Sequence, residues 1–330
     1  MRSFSEWDTL LERVRARDRS ALARAFSLVE RDPDIWPAGW EARGGQSFVV
    51  AVTGAPGAGK STLLGALAGL LAKRDMSCCV VAFDPASPRT GGALLGDRVR
   101  MLEAASLPNV FVRSVAARDP TGAGTAALPP LLALLEQFGF DFVFLESVGG
   151  GQEATPLLSL ADTVMLVVAP GLGDGIQLLK AGVLELADLI VVNKTDRPGA
   201  EDLVRELSAY FRLVAPGQPV APSIVRTAAT VPLGIEDLVD ALRTLRARLE
   251  ETGVLEQRRQ QQLARFLEAR IRARCLHLLD NLFRESLSEQ QATQRPVTSI
   301  YQQELAVYRQ LAQRLLSYVE ERASECFETR

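Results

Sequence analysis

A glycine-rich segment that ends in a lysine and two hydroxyl side chains is the first feature that indicates chemistry. It reads GAPGAGKST and consists of Gly54, Ala55, Pro56, Gly57, Ala58, Gly59, Lys60, Ser61 and Thr62. This G-x-x-x-x-G-K-[ST] spacing lets backbone amides turn inward around phosphate oxygens, and the helix that follows adds the positive end of its dipole. Lys60 would reach the β- and γ-phosphates, and Ser61 would coordinate Mg²⁺. The segment therefore predicts a nucleoside-triphosphate site that also binds magnesium.

A second polar segment, N-K-T-D, follows a short apolar run and indicates the base of the nucleotide. A carboxylate at Asp196 would accept two hydrogen bonds from guanine, and adenine cannot supply that pair of donors. Lys194 would pack over the base, and Asn193 would tie the neighbouring loops together. The pattern favours GTP and GDP. Ala55 agrees with it, because many ATP-using partition proteins carry a second lysine at that position.

A third segment, VRTAAT, is predicted to complete the base site with its backbone. Its residues Thr227, Ala228 and Ala229 are a loose match to the S-A-x pattern of loops that contact a guanine base. The match is weaker than the two above. We expect the three residues to lie against the base.

An acid at the end of an apolar run, Glu146, indicates the second part of the magnesium site, since an acid in this place binds the ion directly or through water. Gly149 follows three residues later, where a glycine lets a backbone amide approach the γ-phosphate. Gln152 has two interpretations, because it could orient the attacking water or simply be solvated. The segment predicts hydrolysis of the γ-phosphate.

Apolar runs that alternate with helical patterns predict how these loops are positioned. Six runs are typical of buried strands, at residues 47–54, 77–83, 109–115, 140–147, 163–170 and 186–194. They predict an α/β fold with a mostly parallel sheet covered by helices on both faces, and ligands bind beyond the carboxyl ends of such strands. We predict an N-terminal helical extension at 1–45, a P-loop domain at 46–250 and a C-terminal helical arm at 251–330. The arm either packs on its own domain or mediates dimerisation.

The composition of the 330 residues excludes several classes of function. A net charge of −3 without a basic cluster argues against a nucleic-acid partner. The N-terminal segment lacks the apolar core of a signal peptide, and no run is long enough to cross a membrane. We therefore expect a cytoplasmic protein with free thiols. No spaced metal-binding motif is formed by the four cysteines and the single histidine, which are Cys78, Cys79, Cys275, Cys326 and His277.

Taken together, the motifs resemble those of the MeaB/ArgK-type GTPases, a family of G-protein chaperones. The matching segments are GAPGAGKS at 54–61, DPASPRTGGALLGDRVRM at 84–101, ESVGGGQ at 146–152, PGLGDGIQLLK at 170–180 and ELADLIVVNKTD at 185–196. The resemblance covers roughly residues 8–240 and implies a P-loop GTPase of the SIMIBI type. Residues 113–124 and the helices after about residue 255 match the family poorly.

The resemblance implies slow, Mg²⁺-dependent GTP hydrolysis coupled to an adenosylcobalamin-dependent mutase. Family members gate transfer of that cofactor from an adenosyltransferase to methylmalonyl-CoA mutase, protect the mutase and are typically homodimers. Asp84, Asp97, Glu146 and Lys180 fall on family positions linked to the metal site and to the switch loops. We interpret residues 84–97 as a switch that metal and γ-phosphate order and that hydrolysis releases. Because the poorly matched segments could contact the partner, another acyl-CoA mutase is an alternative partner.

Two alternatives to a mutase chaperone remain at this point. The first is a metallochaperone GTPase for another metal centre, although such proteins usually carry Cys- or His-rich motifs. The second is a small-molecule kinase, since the family was once interpreted as amino-acid transport kinases. Turnover of GTP and ATP with candidate mutases and amino acids would separate these functions.

Overall fold

One parallel sheet of seven strands carries the loops singled out above. The structure, a computed structural model, describes residues 4–32, 47–85, 101–117, 127–147, 155–171, 183–214, 222–231, 233–292, 308–309, 312–313 and 316–317. The strands are β1 (Phe48–Thr53), β2 (Cys78–Pro85), β3 (Val110–Ala117), β4 (Phe142–Ser147), β5 (Thr163–Val168), β6 (Leu189–Val192) and β7 (Ser223–Arg226). Their order is β3-β2-β4-β1-β5-β6-β7, and every neighbouring pair is parallel. The predicted fold class is confirmed.

The strand at one edge of the sheet, β7, is an element that the sequence patterns did not predict. It has four residues with partly exposed side chains, so it lacks the continuous apolar run that marks the other strands. It pairs with β6 along its whole length. Its carboxyl end leads directly into Thr227, at the same edge as the other predicted loops.

Helices cover both faces of the sheet. In chain order the described helices are α1 (Phe4–Arg15), α2 (Arg19–Arg31), α3 (Lys60–Lys73), α4 (Leu102–Ala105), α5 (Leu128–Phe138), α6 (Thr155–Leu158), α7 (Val183–Leu186), α8 (Ala200–Val214), α9 (Ile235–Glu251) and α10 (Val254–Ala292), and those of the first part of the chain pack on the sheet. Side chains of β1 alternate between two cores: Val49 and Ala51 pack with α1, α2 and α5, whereas Val50 and Val52 pack with α3 and α9. This two-sided burial holds the carboxyl end of β1 in place.

The adjacent cysteines of β2 follow the same alternation, as predicted. Cys78 lies in one core and Cys79 in the other, and both are free thiols. Burial raises the pKa of Cys78 to about 12, with a smaller contribution from the charge of Asp141. Burial also raises the pKa of Cys79 well above its ordinary value. These thiols therefore stay protonated near neutral pH.

The N-terminal helices are fastened to the sheet edge by an arginine that binds backbone carbonyls. The guanidinium of Arg19, the first residue of α2, donates to the carbonyl oxygens of Leu107 (3.0 Å), Pro108 (3.0 Å) and Val110 (2.6 Å). These carbonyls lie just before β3 and at its start. Together with the shared apolar core, they join α1 and α2 to the sheet.

The start of α10 is bound to the amino ends of β5 and β6 by two bidentate ion pairs. Arg259 donates to Asp162 at 2.8 and 3.0 Å, and Arg258 donates to Asp188 at 2.8 and 2.9 Å. Asp162 is 0% exposed and Arg259 is 9% exposed, so the first pair is buried. Burial alone would lower the pKa of Arg259, but the hydrogen bonds and charge of Asp162 raise it. The first turns of α10 therefore pack with the sheet.

The chain divides into two compact units, Met1–Leu263 and Ala264–Arg330, and the sheet lies in the first. The boundary falls within α10. Over the described ranges, no helix is both long and apolar enough to cross a membrane. The three-part division of the sequence stays a prediction.

Candidate functional site

The phosphate-loop residues occupy the turn from β1 to α3, the place that the motif predicts. Gly59 has a φ of +89°, and a Cβ built on it would lie 2.5 Å from Asn193 Nδ2. Only glycine fits there, because both the left-handed backbone and the close approach of Asn193 exclude a side chain. The loop is thus packed against the segment that was predicted to bind the base.

Lys60 is the first residue of α3, and its ammonium group is held within the loop. Its Nζ donates to the carbonyl oxygens of Gly54 (2.8 Å) and Ala55 (3.3 Å), and the residue is 8% exposed. The positive charge therefore lies beside the backbone turn and at the N-terminal end of a helix. Both features attract phosphate oxygens.

Ser61 and Glu146 meet across the space between α3 and the sheet. Ser61 Oγ donates to Glu146 Oε1 at 2.9 Å, and both residues are buried. Glu146 reaches α3 because β4 lies beside β1, with Val52 opposite Glu146, and because its side chain points to the α3 face as those of Phe142 and Phe144 do. A hydroxyl and a carboxylate are hard oxygen donors of the kind that Mg²⁺ prefers, so the two residues fit this ion.

Asn193 joins the phosphate loop to the loop after β7. Its Nδ2 donates to Ala58 O at 2.9 Å, and its Oδ1 accepts hydrogen bonds from Thr227 Oγ1 and Ala229 N, each at 3.2 Å. The side chain is 2% exposed, so its amide is bound on both sides within the protein. The predicted tying role of Asn193 corresponds to these contacts.

Lys194 and Asp196 lie at the surface beside that amide. Lys194 has a φ of +60°, and its Nζ donates to Gly57 O at 2.5 Å, so its stem crosses the phosphate loop. Its alkyl stem comes near Gly59, with Cε 3.6 Å from the position of an added Cβ. Asp196 is exposed. An aliphatic stem near the phosphate loop and an exposed aspartate two residues further on are groups that can bind a base.

The three residues of the loose S-A-x match differ in what their amides do. Thr227 N donates to Val192 O at 2.8 Å, and Ala228 N donates to Leu233 O at 3.0 Å, so both amides are used by the fold. Ala229 N faces Asn193 through a longer bond of 3.2 Å. Among the three, the amide of Ala229 is the one that is bonded to a side chain and not to a backbone carbonyl.

Several predicted site residues lie outside the described residues, or their side chains do. The structure gives the backbone of Asp84, which pairs with Ala116 near the end of β2, but not its side chain. The remaining positions that fall outside the described ranges are Asp97, Gly149, Gln152 and Lys180. The structure thus brings together the phosphate loop, Glu146 and the base-side residues.

Sequence reasoning missed the contacts that hold the base-side loop in place. Thr195, the variable position of N-K-x-D, donates from both N and Oγ1 to Thr227 O at 3.0 Å. Gly234 caps α9 with a left-handed backbone, at a φ of +70°. A single glycine directly before an amphipathic helix with acids in its first turn, as in G-I-E-D-L, was the available signal, since glycine is also accepted as an N-cap.

Known proteins are similar to this chain in sequence and in fold. The family model described as methylmalonyl-CoA mutase-associated GTPase MeaB matches residues 22–282. A Pyrococcus abyssi protein named as a GTPase is 40% identical over 267 residues, which cover 78% of this chain and 81% of that protein. GTPase ArgK of Escherichia coli is 34% identical over 283 residues, covering 82% of this chain and 86% of its own.

A solved structure supports the fold independently. The crystal structure of LAO/AO transport system kinase matches with a TM-score of 0.64 at 24% identity, over 96% of this chain and 99% of that one. The match agrees with the parallel sheet and its P-loop. The chain therefore belongs to the MeaB family of methylmalonyl-CoA mutase-associated GTPases, and it is a P-loop enzyme that hydrolyses GTP.

Proposed function

We propose that this GTPase is a G-protein chaperone of an adenosylcobalamin-dependent acyl-CoA mutase, methylmalonyl-CoA mutase or a close relative. In this role it gates delivery of adenosylcobalamin to the mutase and protects the mutase from inactivation. The observation that carries the proposal is the family match over residues 22–282, whose description names association with that mutase. The same residues contain the whole described nucleotide site.

In the hydrolytic step the phosphate loop binds and orients the triphosphate. The amides after Gly54 and the start of α3 attract phosphate oxygens, and Lys60 exchanges its loop carbonyls for the β- and γ-phosphates. Ser61 and Glu146 are the described residues that would hold Mg²⁺, which neutralises phosphate charge when bound. We propose that Asp84 and Asp97 also belong to the metal site. For Lys180 and Gly149 we propose a place near the γ-phosphate.

On the base side, recognition of guanine would need three groups around one plane. Asp196 would accept hydrogen bonds from guanine N1–H and the exocyclic amine, and Ala229 N would donate to the O6 atom. The stem of Lys194, fixed by its bond to Gly57 O, would lie over the base. We propose this set as the source of the preference for GTP over ATP.

Asp196→Asn tests the base-side assignment. The amide keeps one acceptor but loses the charge that strengthens both bonds, so we expect the preference for GDP over ADP to fall by about 10- to 100-fold, equivalent to one charge-assisted hydrogen bond. Isothermal titration calorimetry with both nucleotides measures it. Asp202→Asn is a control, since Asp202 is another exposed aspartate, on α8. An unchanged preference in Asp196→Asn would show that this carboxylate does not read the base.

We further propose that the protein is a homodimer and that it also meets a corrinoid adenosyltransferase. Helical residues after 251 are the proposed dimerisation arm. A reducing compartment such as the cytoplasm is where we expect it to act, since the described thiols Cys78, Cys79 and Cys275 are free and Cys275 is exposed.

The function is tested by mixing the purified chain with candidate mutases. We expect a complex with one acyl-CoA mutase whose stability differs between GDP and a non-hydrolysable GTP analogue, and a GTP hydrolysis rate that rises when that mutase is added. Loading of the mutase with adenosylcobalamin, measured by the absorbance of the cofactor, should then depend on GTP. Basic amino acids are added in a parallel reaction, because one matching structure is named as a transport system kinase. A phosphorylated amino acid, with no effect of any mutase, would contradict the proposal.

A further inference from the structure

The loop between β7 and α9 is closed on itself directly beside the base-side residues. Ala228 and Leu233 form an antiparallel bridge, in which Ala228 N donates to Leu233 O at 3.0 Å and Leu233 N donates to Ala228 O at 3.3 Å. Val231 N also donates to Ala228 O, at 3.1 Å. The chain that leaves this loop at Gly234 therefore returns to the backbone that entered it.

At that return Gly234 lies in direct contact with the incoming backbone. A Cβ built on Gly234 would be 1.9 Å from Arg226 O, 3.1 Å from Arg226 C and 3.4 Å from Thr227 Cα. These are main-chain atoms, so no side-chain rotation could relieve the overlap. A side chain at residue 234 must displace Arg226 and Thr227, or Gly234 itself must move.

Gly234 cannot easily move away, because it is fixed to α9. Its carbonyl oxygen accepts the hydrogen bond of Leu238 N at 3.1 Å. Ile235, Leu238, Val239 and Leu242 follow it in α9 and are at most 2% exposed in the core shared with α3. Displacing the helix would disturb four buried apolar side chains, which is more costly than displacing a surface loop.

On its other side the incoming backbone is bonded to the N-K-T-D segment. Thr227 O accepts hydrogen bonds from Thr195 N and Thr195 Oγ1, and Thr227 Oγ1 donates to Asn193 Oδ1. Asp196 follows Thr195 directly. A shift at Thr227 would therefore be passed both to Ala229 and to the carboxylate at Asp196.

From this geometry we propose that Gly234 is a positioning residue for base recognition. It lets α9 press the Thr227 backbone against Thr195, and so sets the spacing between the Asp196 carboxylate and the Ala229 amide. The inference rests on the proposed assignment of these two groups to the guanine base. Gly234 itself touches no nucleotide in this proposal.

Gly234→Ala is the test, and Gly253→Ala is its matched control. Gly253 lies just beyond the other end of α9 with the same φ of +70°, but an added Cβ there would meet no heavy atom within 4 Å. The two variants therefore share the cost of a left-handed alanine and differ in the contact with Arg226. The full-length chain is titrated with GDP, IDP and ADP, and Tm is recorded for each variant.

We expect Gly234→Ala to weaken GDP binding by about two- to tenfold, as the loss of an ordinary hydrogen bond would. Its preference for GDP over IDP should also fall, because IDP lacks the exocyclic amine that Asp196 would bind. Gly253→Ala should keep both values close to those of the unaltered chain, even where Tm falls. A Gly234→Ala chain that loses Tm but keeps the affinity and the GDP-to-IDP ratio would overturn the inference.

Thr195→Val covers the case in which Gly234→Ala does not fold. It removes the hydroxyl contact with Thr227 O from the opposite side, without a steric overlap. We expect the same fall in the GDP-to-IDP ratio, and an unchanged ratio would then refute the proposal. The assignment of the base site fails separately, if the unaltered chain shows no preference for GDP over ADP.

Discussion

Replacing Lys60 with alanine is expected to lower kcat for GTP hydrolysis by at least about a hundredfold, the effect of removing one preorganised donor of transition-state stabilisation. The ammonium group of Lys60 lies within the phosphate loop, at the start of α3. Without it, charge that develops on the transferred phosphoryl group would lose the compensation that this ammonium group supplies. A malachite-green phosphate assay at saturating GTP measures the effect.

The control for this variant comes from the same helix. Lys73→Ala removes an equal charge at the far end of α3, where the side chain is exposed, and should leave kcat unchanged. Lys60→Ala also removes two hydrogen bonds to the loop, so GDP affinity and Tm are measured beside the rate. If kcat of Lys60→Ala matches that of Lys73→Ala, the phosphate-loop assignment is wrong.

Arg259→Leu is expected to destabilise the first unit by about 3–5 kcal/mol, since it leaves a buried carboxylate without its cation. Asp162 is fully buried, and its oxygens accept both guanidinium hydrogen bonds and the amide of Val49 at the start of β1. Urea unfolding followed by tryptophan fluorescence measures the free energy of unfolding. The probes suit this unit, because the tryptophans are Trp7, Trp36 and Trp40.

Two further variants test whether the loss of stability comes from the uncompensated buried charge or from the loss of any ion pair. Arg205→Leu breaks an exposed ion pair with Asp202 on α8, where both side chains are more than two-thirds exposed, and should cost less than about 1 kcal/mol. Asp162→Asn combined with Arg259→Leu removes the uncompensated charge and should recover part of the loss. Equal losses in Arg259→Leu and Arg205→Leu would contradict the argument.

Local patterns predicted the fold and the positions of the loops that form the candidate site, because buried strands and glycine-rich loops have recognisable short-range sequences. A continuous apolar run followed by glycines and a lysine is enough to place β1, the phosphate loop and α3. A similar pattern, an apolar run followed by polar residues, predicted that Glu146 lies at the end of β4 and that N-K-T-D lies at the end of β6. Strand β7 has no such apolar run, since its four residues are partly exposed at the sheet edge.

The contacts that sequence could not predict join residues far apart in the chain. Asp162 and Arg259 are 97 positions apart, and neither stands in a motif. Thr195 was treated as the variable position of a motif, yet it fixes the backbone of Thr227. Such pairings depend on which strands become neighbours, so they follow from the sheet order and not from spacing.

The doubly bound amide of Asn193 joins the phosphate loop to the proposed base site, so we expect base and phosphate binding to be thermodynamically coupled. A single side chain, with Nδ2 on Ala58 O and Oδ1 on the Thr227 side, joins the two halves of the proposed nucleotide site. Substitutions on either half should therefore give non-additive losses when combined. A nucleotide fragment that fills only one half would organise the other half as well, so a nucleoside and pyrophosphate should bind cooperatively.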